Sequence, residues 1–216
     1  MSAESTPVTA RHFEYLAART VPEDGFLRDL KEAARAEGIP AIWISPEQAS
    51  LMQILLKLCG ARQVVEIGTL AGYSAIAMAR ALPDGGRVRT IEINEAHAAF
   101  AERWIARSDV AGRIEVIRGA AADRLPAFAA DSVDAAFIDA DKANYVVYLH
   151  QCLRIVRPGG LILVDNAFAF GQLFDEAPTD PEAPAVRAFN EHMAAEPRLH
   201  SLIVPIGDGC WVGVKR

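Results

Sequence analysis

The sequence predicts an α/β fold: a mostly parallel, seven-stranded sheet with helices on both faces and an antiparallel hairpin at its C-terminal end. Two observations carry that prediction. Between Gln63 and Val164, apolar runs of strand length alternate with segments of helical period, the pattern of βαβ units with right-handed crossovers. Beyond Leu199, two β-rich runs are joined by Ile206-Gly207-Asp208-Gly209, a turn composition that makes the last two strands an antiparallel pair.

The elements follow in order. Arg11–Arg19 and Asp24–Glu37 read as amphipathic helices that cover the sheet or meet a second copy of the chain. Ser45-Pro46-Glu47-Gln48 is a helix start: Ser at the N-cap, Pro at the first helical position and Gln at the third, as in a capping box. That helix carries Leu51, Leu55 and Leu58 on one face and stops at Gly60. Gln63–Ile67 is a buried strand, Gly68–Gly72 a turn, and Tyr73–Leu82 a helix halted by Pro83-Asp84-Gly85-Gly86. Val88–Ile93 is the second strand, and Asn94 caps a helix running to Asp109. Ile114–Arg118 and Asp134–Ile138 are the next strands. A helix from Ala143 to Val156 ends at Pro158-Gly159-Gly160, before a fifth strand at Leu161–Val164. A last helix, Pro184–Ala195, precedes the hairpin strands Leu199–Pro205 and Cys210–Val214. Five parallel strands and a hairpin make a Rossmann-like sheet. The chain is expected to form a single domain over residues 1–216, with residues 1–60 as a helical lead-in.

Composition narrows the function classes. Hydrophobic residues make up 51% of the chain and charged residues 23%, enough apolar surface for a full core and against disorder. Asp and Glu number 28 against 22 Lys and Arg, a net charge of −6 with no block of one sign, so there is no basic footprint for nucleic acid and no polybasic membrane anchor. Met1–Arg11 lacks a charged n-region followed by an apolar h-region, and the expectation is a cytoplasmic protein that neither enters a membrane nor is secreted. Cys59, Cys152 and Cys210 are far apart and form no CxxC pair, which predicts buried, reduced thiols rather than disulfides or a zinc site.

The first strand ends in Val65-Glu66-Ile67-Gly68-Thr69-Leu70-Ala71-Gly72-Tyr73-Ser74. Glycines there let the backbone turn sharply and approach a ligand at the carboxyl end of the sheet. Only Gly68 and Gly72 are present, so GxGxxG is missing and a dinucleotide is a poor fit. Glu66 would repel a phosphate but attract an ammonium or orient the chain. The second strand ends in Glu92, about twenty residues past Gly72, where a carboxylate accepts ribose hydroxyls. A nucleoside without phosphates is the ligand suggested, and it points to S-adenosylmethionine.

Asp139 ends the fourth strand; Asp165 and Asn166 end the fifth. Tips of adjacent parallel strands share one rim, and three oxygen donors without His or Cys favour Mg²⁺, Ca²⁺ or Mn²⁺ over zinc. For either tip alone, a post-strand turn or a helix cap explains the residues as well; their conjunction favours the metal. Lys142, three residues after Asp139, is within reach of the same pocket, as general base or as holder of an oxyanion.

These segments resemble the cation-dependent class I O-methyltransferases, the group of catechol and caffeoyl-CoA O-methyltransferases. The resemblance rests on Glu66–Ser74 (EIGTLAGYS), Thr90–Asn94 (TIEIN), Phe137–Tyr145 (FIDADKANY), Arg157–Asn166 (RPGGLILVDN) and Gly207–Gly209 (GDG), and spans the chain from Ile44 to its end. It implies Asp139, Asp165 and Asn166 as metal ligands and Lys142, beside Asp139, as catalytic. It implies Ile44, Glu66, Gly68, Thr69, Ser74, Glu92, Ala121 and Asp141 as cofactor contacts, with Glu92 on the ribose and Asp141 near the adenosyl-methionine moiety. It also implies a homodimer. Where such enzymes often continue Thr-Leu-Trp-Asn-Gly, this chain has Ala167-Phe168-Ala169-Phe170-Gly171, so Ala169 and Phe170 are expected to make the acceptor pocket more apolar. The acidic, Pro-rich stretch 172–183 is expected as a surface loop or a pocket wall.

The reading is therefore a metal-dependent methyl transfer from S-adenosylmethionine to a hydroxyl of a catechol-like small molecule. Three rivals are weaker. Hydroxyuridine in transfer RNA would call for a basic stripe. A non-catalytic S-adenosylmethionine-binding protein would be expected to lose Lys142 or a metal ligand. An NAD(P) dehydrogenase would call for GxGxxG.

Overall fold

A computed structural model describes residues 6–216; the first five residues of the helical lead-in lie outside them. The sheet comprises β1 (Gln63–Ile67), β2 (Arg87–Glu92), β3 (Ile114–Arg118), β4 (Val133–Ile138), β5 (Val156–Val164), β6 (Leu199–Val204) and β7 (Cys210–Lys215). Their order is β3-β2-β1-β4-β5-β7-β6. The first five strands are parallel, and β7 runs antiparallel to both β5 and β6, as the hairpin composition predicts. The chain builds outward from β1 to β3 and then restarts at β4 on the other side of β1. That reversal opens a crevice at the carboxyl ends of β1 and β4, where open α/β sheets bind ligands.

Alternation along the strands divides the core in two. Val64, Phe137, Leu161 and Leu163 face one layer, which includes Leu30, Met52, Leu56, Ile76 and Phe100. Val65, Ile67, Ile138, Ile162 and Val164 face the other, with Tyr145, Leu149, Cys152 and Phe189. The first layer is drawn mainly from α2 (Gly25–Ala36), α3 (Pro46–Leu58), α4 (Tyr73–Ala81) and α5 (Glu95–Ile105). The second comes largely from α6 (Ala121–Arg124), α7 (Tyr145–Ile155) and α8 (Ala183–Ala195). Helix α1 (Ala10–Ala17) buries none of its residues. Among the described residues no helix is long and apolar enough to cross a membrane.

Local signals act as read at most helix starts. Ser45 Oγ accepts from Gln48 N at 3.2 Å, and Asn94 Oδ1 accepts from the amides of Ala96 and His97. Several boundaries and faces differ from expectation. Helix α3 buries Ala49, Met52 and Leu56 rather than the Leu51, Leu55 and Leu58 face, and Leu58 is exposed. Its apolar residues surround the axis, so packing on α4 sets its rotation, not periodicity. Helix α5 stops at Ile105 instead of Asp109, passing into turns closed by Arg107 N to Trp104 O and Ser108 N to Ile105 O. Strand β5 begins at Val156, which pairs with Val133 before a register shift, so Pro158-Gly159-Gly160 lies within the strand. A Cβ on Gly160 would stand 2.6 Å from the Asp134 carbonyl oxygen, a closeness only glycine permits. Helix α7 begins at Tyr145 after a 3₁₀ turn at Lys142–Asn144. The one-turn helix α6 is too short for a periodic signal. Cys152 and Cys210 are buried thiols, but Cys59 is only half-buried, at the C-cap of α3.

Asp134 pins β4 to the start of β1. One carboxylate oxygen accepts the amides of Arg62 and Gln63, both at 2.8 Å, and the other accepts Arg157 Nε at 2.6 Å. Partial burial alone would raise its pKa; the guanidinium and the two amides outweigh it, and the net shift is downward. A depressed carboxyl stabilises the fold above its ordinary pKa of 3.8, and that contribution is lost as pH falls through the folded-state value. Asp134→Ala should cost about 2 kcal/mol at pH 7. Thermal melts should converge with wild type as pH falls below 3.8; a difference that persists undiminished into acid would contradict this.

Candidate active site

A cavity of about 560 Å³ opens at the carboxyl ends of β1, β2 and β4. Ten of the twelve residues predicted from sequence line it: Ile44, Gly68, Thr69, Ser74, Glu92, Ala121, Asp139, Asp141, Lys142 and Asn166. The other two, Glu66 and Asp165, are buried off its wall.

The β1–α4 loop makes the floor. Gly68 (φ +99°), Leu70 (φ +48°) and Gly72 (φ +85°) all have left-handed backbones, which turn the chain tightly enough to leave its amides pointing at Glu92. A Cβ on Gly68 would stand 1.9 Å from the Asp139 carbonyl oxygen, so β1 and β4 meet here backbone against backbone. Glu92 Oε2 accepts Thr69 N and Leu70 N at 3.1 and 2.8 Å, and Oε1 accepts Asn94 N at 2.8 Å. With Oε2 accepting two amides, Oε1 is the oxygen that keeps a further lone pair for a ligand hydroxyl. Thr69 and Thr90 share a hydroxyl–hydroxyl bond of 2.6 Å beneath the loop. Asp141 is held from two sides, by Tyr148 Oη and Asn144 Nδ2.

Glu66 differs from expectation. It is fully buried, and among the described residues neither carboxylate oxygen has a hydrogen-bond partner. Burial pushes its pKa up to about 8; the Ser74 and Thr90 hydroxyls oppose the rise, and the Asp139 and Glu92 carboxylates add to it. As pH climbs from its ordinary 4.5 towards 8, the unfolded chain gives up this proton first and stability falls. Glu66→Gln should therefore melt above wild type by a margin that is small near pH 5 and largest near pH 8. A margin independent of pH would contradict this account.

The opposite end of the cavity gathers the charged groups. Lys142 is 6% exposed, and its Nζ donates to Asp139 Oδ1 at 3.2 Å and Tyr145 Oη at 2.7 Å. Burial, then the carboxylates of Asp139, Asp165 and Glu182, hold the Tyr145 phenol well above its ordinary pKa, so it stays neutral and accepts from the lysine. Gln48 Nε2 donates to Asp165 Oδ1 at 2.8 Å. Burial first, and Asp139 second, push Asp165 up to about 7. Asn166 (φ +65°) gives its amide nitrogen to Asp208 Oδ2 at 3.2 Å, which leaves its amide oxygen as the free donor atom. Three hard oxygen donors, two of them carboxylates close enough for Asp139 to raise the Asp165 pKa, fit a divalent cation of the Mg²⁺ type.

The acceptor side is partly as read. Phe170 lines the cavity, its ring 5.9 Å from Lys142 Nζ. Ala169 does not; it is buried against Ala183, Val186 and Leu173. The 172–183 stretch does form wall: Asp180 and Glu182 face the cavity, and Glu182 Oε1 accepts Lys142 N at 3.1 Å. Sequence reasoning missed Gln48, Tyr145, Tyr148 and Asp208. Gln48 was visible only as a capping residue, yet its side chain reaches Asp165 instead of returning to Ser45. Asp208 was visible as a turn residue and within the Gly207–Gly209 resemblance, but with no role attached to its side chain.

A sequence model described as O-methyltransferase matches residues 17–216. The chain belongs to this O-methyltransferase family. The class expected from the sequence, an S-adenosylmethionine-dependent O-methyltransferase, is the class of this family. A catechol O-methyltransferase of Niastella koreensis is 40% identical to this methyltransferase over 196 residues, covering 89% of this chain and 86% of its own. One from Mycobacterium tuberculosis is 36% identical over 200 residues, covering 92% and 90%. The O-methyltransferase of Bacillus cereus, solved in complex with SAH, superposes with a TM-score of 0.86 at 36% identity over 95% of this chain and 97% of that one.

Proposed function

We propose that this methyltransferase is divalent-cation-dependent and moves a methyl group from S-adenosylmethionine to one hydroxyl of a catechol-type small molecule. The observation that carries the reading is that Asp139, Asn166 and Lys142 line the same cavity as Glu92 and the Gly68–Gly72 loop. The catechol O-methyltransferase names of two relatives support it.

Asp139, Asp165 and Asn166 would hold the cation, and Glu92 with the Gly68–Gly72 loop would hold the nucleoside. When bound, the cation supplies Lewis-acid polarisation of a chelating diol. The methyl donor supplies an electrophilic methyl on a sulfonium. The chain's own residues do the rest. Lys142 Nζ, fixed between Asp139 and Tyr145, takes the proton of the attacking hydroxyl or holds the charge left on its oxygen. Phe170 covers the acceptor ring and keeps water from the reacting pair. Gln48 fixes the Asp165 carboxylate through its Oδ1.

Asp180 and Glu182 on the wall set a preference. An acceptor bearing a carboxylate or a phosphorylated thioester meets like charge there, so neutral catechols should have the higher kcat/KM. The exposed apolar residues Tyr15, Leu16, Ile54 and Leu58 of the lead-in support a homodimer, and the free thiols suit a reducing, cytoplasmic location.

A pair of acceptors differing by one hydroxyl tests the chelation. Catechol should be methylated at least about a hundredfold faster, in kcat/KM, than phenol. Comparable rates would refute a diol-chelating site.

A further inference from the structure

The turn between β6 and β7 lies against the segment after β5. Ala167 N donates to Gly209 O at 2.9 Å and Phe168 N to Asp208 O at 2.8 Å. A Cβ on Gly209 would stand 2.8 Å from the Phe168 ring, so that ring packs directly on the glycine. The segment held there is strained: Asn166, Ala169 and Phe170 all have left-handed backbones, at φ +65°, +52° and +60°, and none is glycine. Such conformations persist only where the surroundings hold them.

One atom bonds two of the three, through the Asn166 side chain and the Phe170 backbone. Asp208 Oδ2 accepts Asn166 Nδ2 at 3.2 Å and Phe170 N at 2.8 Å. The first bond fixes which end of the Asn166 amide is left for a hard cation. The second fixes the backbone that carries the Phe170 ring into the acceptor end of the cavity. We infer that Asp208 is a positioning residue that couples cation binding to acceptor binding, because a single carboxylate oxygen sets both Asn166 and Phe170. This rests on the proposed cation site. Cation and acceptor affinity should then change together when Asp208 changes. The nucleoside end should not follow, since its hydrogen bonds run through Glu92 and the Gly68–Gly72 loop.

The test is a Mn²⁺ titration of the metal-free full chain, read by electron paramagnetic resonance, with S-adenosylmethionine affinity and catechol kinetics on the same samples. Asp208→Ser, too short to reach either donor, should bind Mn²⁺ about 10- to 100-fold more weakly. It should raise the KM for catechol more than it lowers kcat, and leave S-adenosylmethionine affinity within about twofold. Asp208→Asn, whose amide oxygen still accepts both bonds, should stay near wild type. Asp208→Glu keeps the charge but moves the oxygen by one methylene; it should lose affinity as Asp208→Ser does, and it carries the test should the serine variant not fold. Wild-type affinity for Mn²⁺ in the serine or glutamate variant would overturn the inference alone, provided Asp139→Ala abolishes binding. Equal losses of Mn²⁺ and S-adenosylmethionine affinity would also overturn it, as a general structural role. Absence of Mn²⁺ binding by the wild-type chain would overturn the cation site and this inference together.

Discussion

Asp139→Ala and Lys142→Ala should each lower kcat/KM by about 10²- to 10⁴-fold while leaving S-adenosylmethionine affinity within a few-fold of wild type. The two side chains form one unit: Lys142 Nζ bridges Asp139 Oδ1 and Tyr145 Oη in a pocket where the lysine is 6% exposed. Removing the lysine leaves Asp139 and Asp165 as neighbouring carboxylates without their fixed cation and takes away the group at the attacking oxygen. Removing Asp139 takes away a candidate ligand and releases the lysine from its position. As both are proposed to act at one reaction centre, the double variant should be scarcely slower than either single one. The nucleoside end is held by a separate set of bonds, from Thr69, Leu70 and Asn94 to Glu92. Calorimetric titration with S-adenosylmethionine beside steady-state kinetics checks the division. Turnover retained in both variants, or donor affinity lost in step with turnover, would contradict it.

Gly68→Ala should be the most damaging single-carbon change in the molecule. The added Cβ would lie 1.9 Å from the Asp139 carbonyl oxygen and 2.8 Å from its carbon, and both atoms are backbone at the end of β4. Side chains cannot rotate away to relieve that clash; two parallel strands must separate at their tips. The left-handed φ of +99° adds a conformational cost of its own. Together these should destabilise the fold by about 3 kcal/mol or more, or roughly 6–12 °C in Tm for a chain of this size. Strand separation would also shift Asp139 and the amides of the nucleoside loop, so donor affinity should fall with stability. Gly112→Ala is the control, since nothing lies within 4 Å of its Cβ position. A melt of Gly68→Ala within 2 °C of wild type would show that the strand tips part more readily than the packing implies.

The legible part of this protein was the part governed by local chemistry. Strand runs, the Asn94 and Ser45 caps and the Gly207–Gly209 turn depend on neighbours in sequence, and each folds as its residues dictate. The rim residues Glu92, Asp139 and Asn166 were legible because parallel strands bring their carboxyl ends to one edge whatever the details of packing. Side chains whose partners are remote were not. Gln48 meets Asp165 across 117 positions of chain, and Asp208 meets Asn166 across 42. Neither pairing leaves a local pattern, and both residue types have an ordinary use where they stand, in a cap and in a turn. The rotation of α3 fails for a related reason, because an axis ringed with Leu, Ile and Met offers several equivalent faces. Ala169 sat in the right segment, but the left-handed turn at 169–170 sends Phe170 to the cavity and Ala169 to the core.

The central claim is that the carboxylate-and-amide rim works with a divalent cation on a diol. The most direct measurement is methyl transfer from S-adenosylmethionine to catechol, followed by mass spectrometry, with Mg²⁺, with EDTA, and with Mg²⁺ restored after EDTA. Methylated product with Mg²⁺, its loss with EDTA and its return on restoration are the results expected. Product formed at an undiminished rate in EDTA would contradict the claim, and Asp139, Asp165 and Asn166 would then have to be read as a purely structural rim.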